Sequence, residues 1–158
     1  MTSRAAGETI AAVAPIVETI QVARPPEEVF AYLDDLARHG EWQEAIMSTQ
    51  LETDPPTRKG SRAVDTRRVP GGRTQDFEYE VTEHDPPRRS AFQVLNGPIR
   101  PSGVVTVEPS DGGSRVTLQI EFKGYGLGKL LLPLVLRDAR KRIPVDQQRL
   151  KERLESGA

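Results

Sequence analysis

Five short turn sequences interrupt the chain between residues 47 and 123, and they limit most strongly what it can fold into. Between the turns, apolar and polar residues alternate, which is typical of half-buried β-strands. Links this short join antiparallel neighbours, because a parallel pair of strands needs a long crossover. The turns are Asp54-Pro55-Pro56, Pro70-Gly71-Gly72, Asp85-Pro86-Pro87, Asn96-Gly97-Pro98 and Asp111-Gly112-Gly113. The strands predicted for this antiparallel meander are Met47–Glu52, Arg62–Val69, Thr74–Glu83, Ser90–Leu95, Gly103–Glu108 and Ser114–Lys123.

One strand and two short helices are predicted ahead of the meander. Ile16–Ala23 alternates in the manner of a strand. Residues 26–37 are predicted to form an amphipathic helix that begins at Pro26, where the missing N–H would be unpaired in any case. A short second helix or turn over Gly40–Ala45 carries Trp42, the only tryptophan. We expect residues 1–15 to be a flexible tail and residues 16–155 to form a single domain.

A long helix, Leu127–Leu154, is predicted to close the chain. Its first turns carry an apolar stripe of four leucines, Leu127, Leu130, Leu131 and Leu134. Pro144 lacks the N–H that would bond the carbonyl of Arg140, so we expect a bend or a break into two segments there. The order of elements predicts an α+β domain in which this helix buries its apolar face on the sheet.

Charge and residue counts exclude several classes of function. The 22 basic and 23 acidic residues leave a net charge of −1, so no electrostatic feature indicates binding to DNA or RNA. Because cysteine is absent, disulfides, thiolate metal sites and cysteine nucleophiles are excluded. The two histidines, His39 and His84, lie far apart without a ligand-spaced partner, and we expect neither a metal nor a cofactor. Neither a leader nor a membrane span is predicted, and we expect a cytoplasmic protein.

Several stretches resemble the START-like proteins (SRPBCC, Bet v 1-like). The similar stretches are VARPPEEVFAYL (Val22–Leu33), Glu41-Trp42-Gln43, YEVTEHDPPRR (Tyr79–Arg89), GGSRVTL (Gly112–Leu118) and DQQRLK (Asp146–Lys151). Together they cover about residues 16–154, and they are most similar to the bacterial branch labelled polyketide cyclase/dehydrase-like. The resemblance implies a helix-grip fold, in which a seven-stranded antiparallel sheet wraps around the C-terminal helix and a hydrophobic cavity. It implies less about chemistry, because such proteins include cyclases, lipid carriers, hormone receptors and co-chaperones.

Strand alternation sorts the side chains that would line such a cavity. Apolar residues of one strand face should point at the C-terminal helix. Simple core packing is the alternative for each of them. The residues expected to contact a ligand are Trp42, Phe77, Tyr79, Phe92, Leu118, Phe122, Tyr125 and Leu131.

Polar groups that point inward would orient a ligand or carry chemistry. Tyr79 is the best candidate, because its hydroxyl lies within an apolar row, and Arg67 is a second candidate for a catalytic role. Asp65 shares a strand face with Arg67 and could also point inward. We expect His84 to lie in solvent at a strand end, which leaves no clear general base. Gly124–Lys129 resembles a phosphate loop only superficially, since no βαβ unit surrounds it.

Three hypotheses for the function follow. The first is binding of a hydrophobic small molecule, such as a lipid or a polyketide. The second is an aromatase/cyclase that folds a poly-β-ketone chain and promotes aldol closure and dehydration. The third is a module that binds another protein through the sheet or the C-terminal helix. The oligomeric state is left open.

Overall fold

A computed structural model describes residues 14–157, and most of the predicted tail lies outside these residues. Seven strands form one antiparallel sheet in the order β1-β7-β6-β5-β4-β3-β2. The strands are β1 (Ile16–Val22), β2 (Ile46–Leu51), β3 (Arg62–Arg68), β4 (Thr74–Asp85), β5 (Arg89–Val94), β6 (Ile99–Ser110) and β7 (Gly113–Gly124). The helices are α1 (Pro26–Asp34), a 3-10 helix (Leu36–Glu41) and α2 (Gly128–Glu155). The predicted α+β helix-grip architecture and the antiparallel meander are confirmed.

The C-terminal helix differs from the sequence prediction in one respect. It runs without interruption from Gly128 to Glu155 and contains both Pro133 and Pro144. The predicted break into two segments is therefore wrong, whereas a bend at Pro144 stays a prediction. Ile143 and Gln147 are buried on either side of Pro144, so tertiary packing holds both halves in one helix.

The C-terminal half of α2 is anchored against β1 and α1. Leu150 and Leu154 join a core cluster with Val22 and Val29. The guanidinium of Arg24 donates hydrogen bonds to the last carbonyls of the helix, those of Leu154 and Glu155, at 3.0 Å each. A cation at this position also suits the negative end of the helix dipole. This half of the helix therefore closes one end of the fold.

The first turns of α2 are much less covered. The apolar stripe of residues 127–134 is predicted to face the interior, and for two of its leucines this prediction is wrong. Leu127 is 77% exposed and Leu130 is 78% exposed. Helix α2 packs chiefly on β1 and β7, and at its N-terminal end a space is left between the helix and the opposite half of the sheet.

Candidate functional site

A cavity of about 430 Å³ lies between the sheet and α2. Its wall is formed by the inner faces of β3 to β7, by α1 and the 3-10 helix, and by one side of α2. Since α2 packs chiefly on β1 and β7, the cavity extends from the inner faces of β6 and β7 to the space between the helix and strands β3 to β5. The volume falls within the range of about 300–1,000 Å³ that is typical of small-molecule sites.

The apolar wall contains most of the side chains singled out from the sequence. In β4, Phe77, Tyr79 and Val81 share the inner face, as the alternation predicts. The rings of Tyr79 and Phe92 meet edge to face with centroids 6.2 Å apart. The predicted ligand-contacting residues that line the cavity are Trp42, Phe77, Tyr79, Phe92, Leu118, Phe122 and Leu131. Their contact with a ligand stays a prediction.

Tyr125 is the one predicted ligand-contacting residue that the structure places outside the lining. It lies in the turn between β7 and α2, and it is 43% exposed. The guanidinium carbon of Arg100 lies 4.3 Å from the centroid of its ring. This cation–π contact on the surface explains the position of the ring.

Three buried polar atoms in the cavity-lining residues lack a hydrogen-bond partner within the described part of the chain. They are Nε1 of Trp42, the hydroxyl of Tyr79 and Nε2 of Gln147. The great majority of buried polar groups in folded proteins are paired, and leaving one unpaired costs about 1–3 kcal/mol. All three atoms can donate a hydrogen bond, and each belongs to a side chain of the cavity wall.

Ionisable side chains lie at the same end of the cavity. Arg67 donates from Nη1 to Oε1 of Gln43 at 2.8 Å. Asp65, on the same strand, accepts a hydrogen bond from the hydroxyl of Thr49 at 2.8 Å. Asp146 of α2 accepts one from the backbone N–H of Glu44 at 3.4 Å. The structure thus supports the expectation that Arg67 and Asp65 point inward.

Burial shifts the pKa values of these groups. It raises the pKa of both Asp65 and Asp146 above the ordinary aspartate value. Burial, assisted by the nearby charge of Arg142, lowers the pKa of Arg67. Burial, with the negative charge of Asp65, raises the pKa of Tyr79, so this hydroxyl is protonated at neutral pH and is able to donate.

Gln43, Asp146 and Gln147 contribute to the site but were not recognised in the sequence. A signal for two of them was present in the helix. Asp146 and Gln147 lie on the same helical face as Ile143 and Leu150, at spacings of three and four residues. Polar residues within a buried stripe indicate either a buried hydrogen-bonding network or a ligand site.

Both histidines lie in defined environments, and the prediction that His84 is in solvent is wrong. Its side chain is only 12% exposed, and its Nε2 lies 3.0 Å from each carboxylate oxygen of Asp34. The end of β4 packs against α1, which brings the imidazole beside the ring of Phe30. His39 lines the cavity, and its Nε2 donates to the carbonyl of Leu33 at 2.7 Å.

The described residues hold no group of three or more histidine, aspartate or glutamate side chains arranged to bind a metal ion. Within residues 14–157, no helix is both long and apolar enough to cross a membrane.

Comparison with solved structures finds the same fold in proteins of low sequence identity. TTHA0849 from Thermus thermophilus matches with a TM-score of 0.76 and 21% identity over 91% of this chain and 99% of that one. Ara h 8.0201 matches with a TM-score of 0.68 and 18% identity, over 90% of this chain and 97% of that one. The di-domain ARO/CYC StfQ, from the steffimycin biosynthetic pathway, matches with a TM-score of 0.75 and 13% identity. That match covers 98% of this chain and 55% of StfQ. At these identities the likeness concerns the fold alone.

No curated protein matches the chain in sequence. One family model does match, over residues 14–155, and its description is "Polyketide cyclase / dehydrase and lipid transport". The match spans the whole sheet and all of α2, in agreement with the START-like resemblance of the sequence. The chain belongs to the polyketide cyclase / dehydrase and lipid transport family.

Proposed function

We propose that this protein binds a hydrophobic small molecule that carries a neutral oxygen acceptor, such as a ketone, an ester or a hydroxyl group. The observation that carries the proposal is the set of unpaired donors of Trp42, Tyr79 and Gln147 in an otherwise largely apolar cavity wall. Lipids and polyketide-like compounds both combine apolar surface with such oxygens. An acceptor of this kind would satisfy donors that are unpaired in the unliganded protein.

The charges of the wall favour a neutral polar group over an ionised one. Four aspartates and four arginines line the cavity. They are Asp34, Asp65, Asp138 and Asp146, and Arg67, Arg68, Arg73 and Arg142. Because the two signs are balanced, the wall offers no excess charge to offset the desolvation of an ionised head group.

Native mass spectrometry of the freshly purified protein tests this proposal. We expect a bound small molecule in the spectrum of the folded protein, lost on denaturation, or an equivalent complex after addition of a ketone-bearing naphthalene such as prodan. The control is Leu118→Trp, which adds volume to the cavity wall and should prevent both complexes. A folded wild-type protein that takes up neither ligand would contradict the proposal.

Aromatase/cyclase activity is the second candidate. The Tyr79 hydroxyl is buried and protonated, and Arg67 and Asp65 lie on the neighbouring strand. In aldol closure the attacking α-carbon loses its proton and the π bond of the attacked carbonyl breaks, while a carbon–carbon bond forms and the carbonyl oxygen gains a proton. A later dehydration releases water. Tyr79 is the candidate donor of that proton. With a polyketide substrate, Tyr79→Phe should lower the rate of a cyclase by about 100-fold or more while binding is nearly unchanged. A protein that only carries the ligand would show no turnover in either the wild type or the variant.

The cytoplasmic location and the identity of the ligand stay predictions. A protein-interaction module is the hypothesis that gains support if no small molecule binds.

A further inference from the structure

Four leucines form an exposed face on the first turns of α2. Leu127, Leu130, Leu131 and Leu134 are 77%, 78%, 46% and 54% exposed. We call this set the leucine face. Single exposed leucines are ordinary, but a contiguous group of four on one helix marks a contact surface.

Basic side chains continue this surface. Arg137 and Lys141 are exposed beside the leucines, and within residues 14–157 neither forms an ion pair. Lys129 and Arg140 are exposed on another side of the helix. At helical spacing, Arg137 and Lys141 extend the row of Leu130 and Leu134. The only acidic residue of this half of the helix, Asp138, is bonded to Arg142 at 3.3 Å. The C-terminal half, by contrast, carries three basic and three acidic residues between 143 and 155.

The leucine face is also continuous with the cavity. Leu131 and Leu134 belong both to the exposed face and to the cavity wall, whereas Leu127 and Leu130 belong only to the surface. Whatever covers the leucine face therefore adjoins the cavity.

We propose that the leucine face docks on the surface of a phospholipid bilayer that contains anionic lipids. The leucines would enter the boundary between head groups and acyl chains, and the two adjoining cations, Arg137 and Lys141, would meet lipid phosphates. Helix α2 would lie along the interface rather than cross it. A second copy of this chain fits less well, because two such faces would bring their unpaired cations together. Docking goes beyond ligand binding and does not require a ligand in the cavity.

Co-sedimentation with vesicles tests the proposal on the full chain. We expect binding to phosphatidylcholine vesicles that contain phosphatidylglycerol, weaker binding to phosphatidylcholine alone, and a loss of affinity as salt increases. The double variant Leu127→Ser/Leu130→Ser should lower the affinity roughly tenfold. Both leucines are largely exposed, so the variant should keep the fold. Arg137→Gln and Lys141→Gln should each lower the affinity about fivefold on anionic vesicles alone.

The matched control is Val145→Ser, since Val145 is an exposed apolar residue in the other half of the same helix. It should leave vesicle binding unchanged. Failure of the wild-type protein to bind either vesicle would overturn the proposal, as would an equal loss in Val145→Ser. So would a wild-type dimer that the double leucine variant converts to a monomer. The double variant should still bind prodan, because neither substituted leucine lines the cavity. A loss of vesicle binding with prodan binding retained therefore concerns the docking proposal and not the proposed function.

Discussion

The guanidinium of Arg67 donates a hydrogen bond from Nη1 to Oε1 of Gln43 at 2.8 Å. The contact joins β3 to the loop that follows the 3-10 helix, and both side chains line the cavity. Arg67 also lies where its positive charge favours the ionised forms of Asp65 and Asp146.

Replacement of Arg67 by methionine should therefore lower the free energy of unfolding by about 1.5–3 kcal/mol, the range for a hydrogen bond to a charged group. The control is Arg62→Met on the same strand, because Arg62 forms an exposed ion pair with Glu80 at 3.1 Å. Such surface pairs contribute about 0–1 kcal/mol. Urea unfolding of both variants measures the difference, and equal losses would show that the Arg67 contact is no stronger than a surface pair.

Stability should depend on pH through the two buried aspartates. Because burial raises the pKa of Asp65 and Asp146 in the folded chain, the folded state keeps these protons to a higher pH than the unfolded state does. Their contribution to stability is therefore greatest at low pH and is lost as the pH rises above the ordinary aspartate value of about 4.

Asp65→Asn should remove one of these two contributions, while its amide oxygen can still accept the hydrogen bond from Thr49. Relative to the wild type, the variant should gain stability as the pH is raised from about 4 to neutrality. Asp76→Asn is the control, because Asp76 accepts an equivalent bond from Thr66 at 2.7 Å on the exposed face of the sheet. Chemical denaturation at several pH values measures both, and an Asp65→Asn curve parallel to the wild-type curve would contradict this account.

Much of the fold could be predicted because it depends on local pattern. Alternation alone placed Phe77, Tyr79 and Val81 on one face of β4, and short turns alone required antiparallel neighbours. The exposure of Leu127 and Leu130 could not be obtained in this way. Their spacing matches a buried stripe, and only the position of α2 on β1 and β7 leaves them uncovered.

The environment of His84 escaped prediction for a similar reason. Its partner, Asp34, is 50 residues away in the sequence, and no local pattern joins the two. Gln147 is a different case, because its position within the apolar stripe of α2 was visible. Local pattern offers no basis for distinguishing a paired buried amide from an unpaired one, since that depends on what lies across the cavity.

Pro144→Ala should stabilise the protein. In a continuous helix, proline lacks the donor for the carbonyl of Arg140 and crowds the preceding turn. Alanine should restore the hydrogen bond and raise the free energy of unfolding by up to about 3 kcal/mol, less where packing already compensates. Thermal unfolding of the variant provides the measurement. A lower melting temperature would indicate that a bend at this position is needed for packing against the sheet.

Two tyrosines of similar burial should respond oppositely to removal of their hydroxyls. Tyr32 donates to Glu41 at 2.9 Å, whereas the hydroxyl of Tyr79 has no partner among the described residues. Tyr32→Phe should lower the free energy of unfolding by about 1.5 kcal/mol, and Tyr79→Phe should leave it unchanged or raise it. Both are measured on the unliganded protein. A destabilised Tyr79→Phe would show that its hydroxyl already has a partner.

The affinity of a ketone-bearing probe tests most directly whether the buried donors form a hydrogen bond with a ligand oxygen. Prodan and the same dimethylaminonaphthalene without its propionyl group are titrated into the wild type and into Tyr79→Phe, and binding is followed by the quenching of Trp42 emission. In the wild type, we expect prodan to bind about two- to tenfold more tightly than the ketone-free compound, as one neutral hydrogen bond allows. Tyr79→Phe should reduce that ratio while the ketone-free compound binds as before. Equal affinities of the two compounds for the wild type, or no binding of either, would contradict the account.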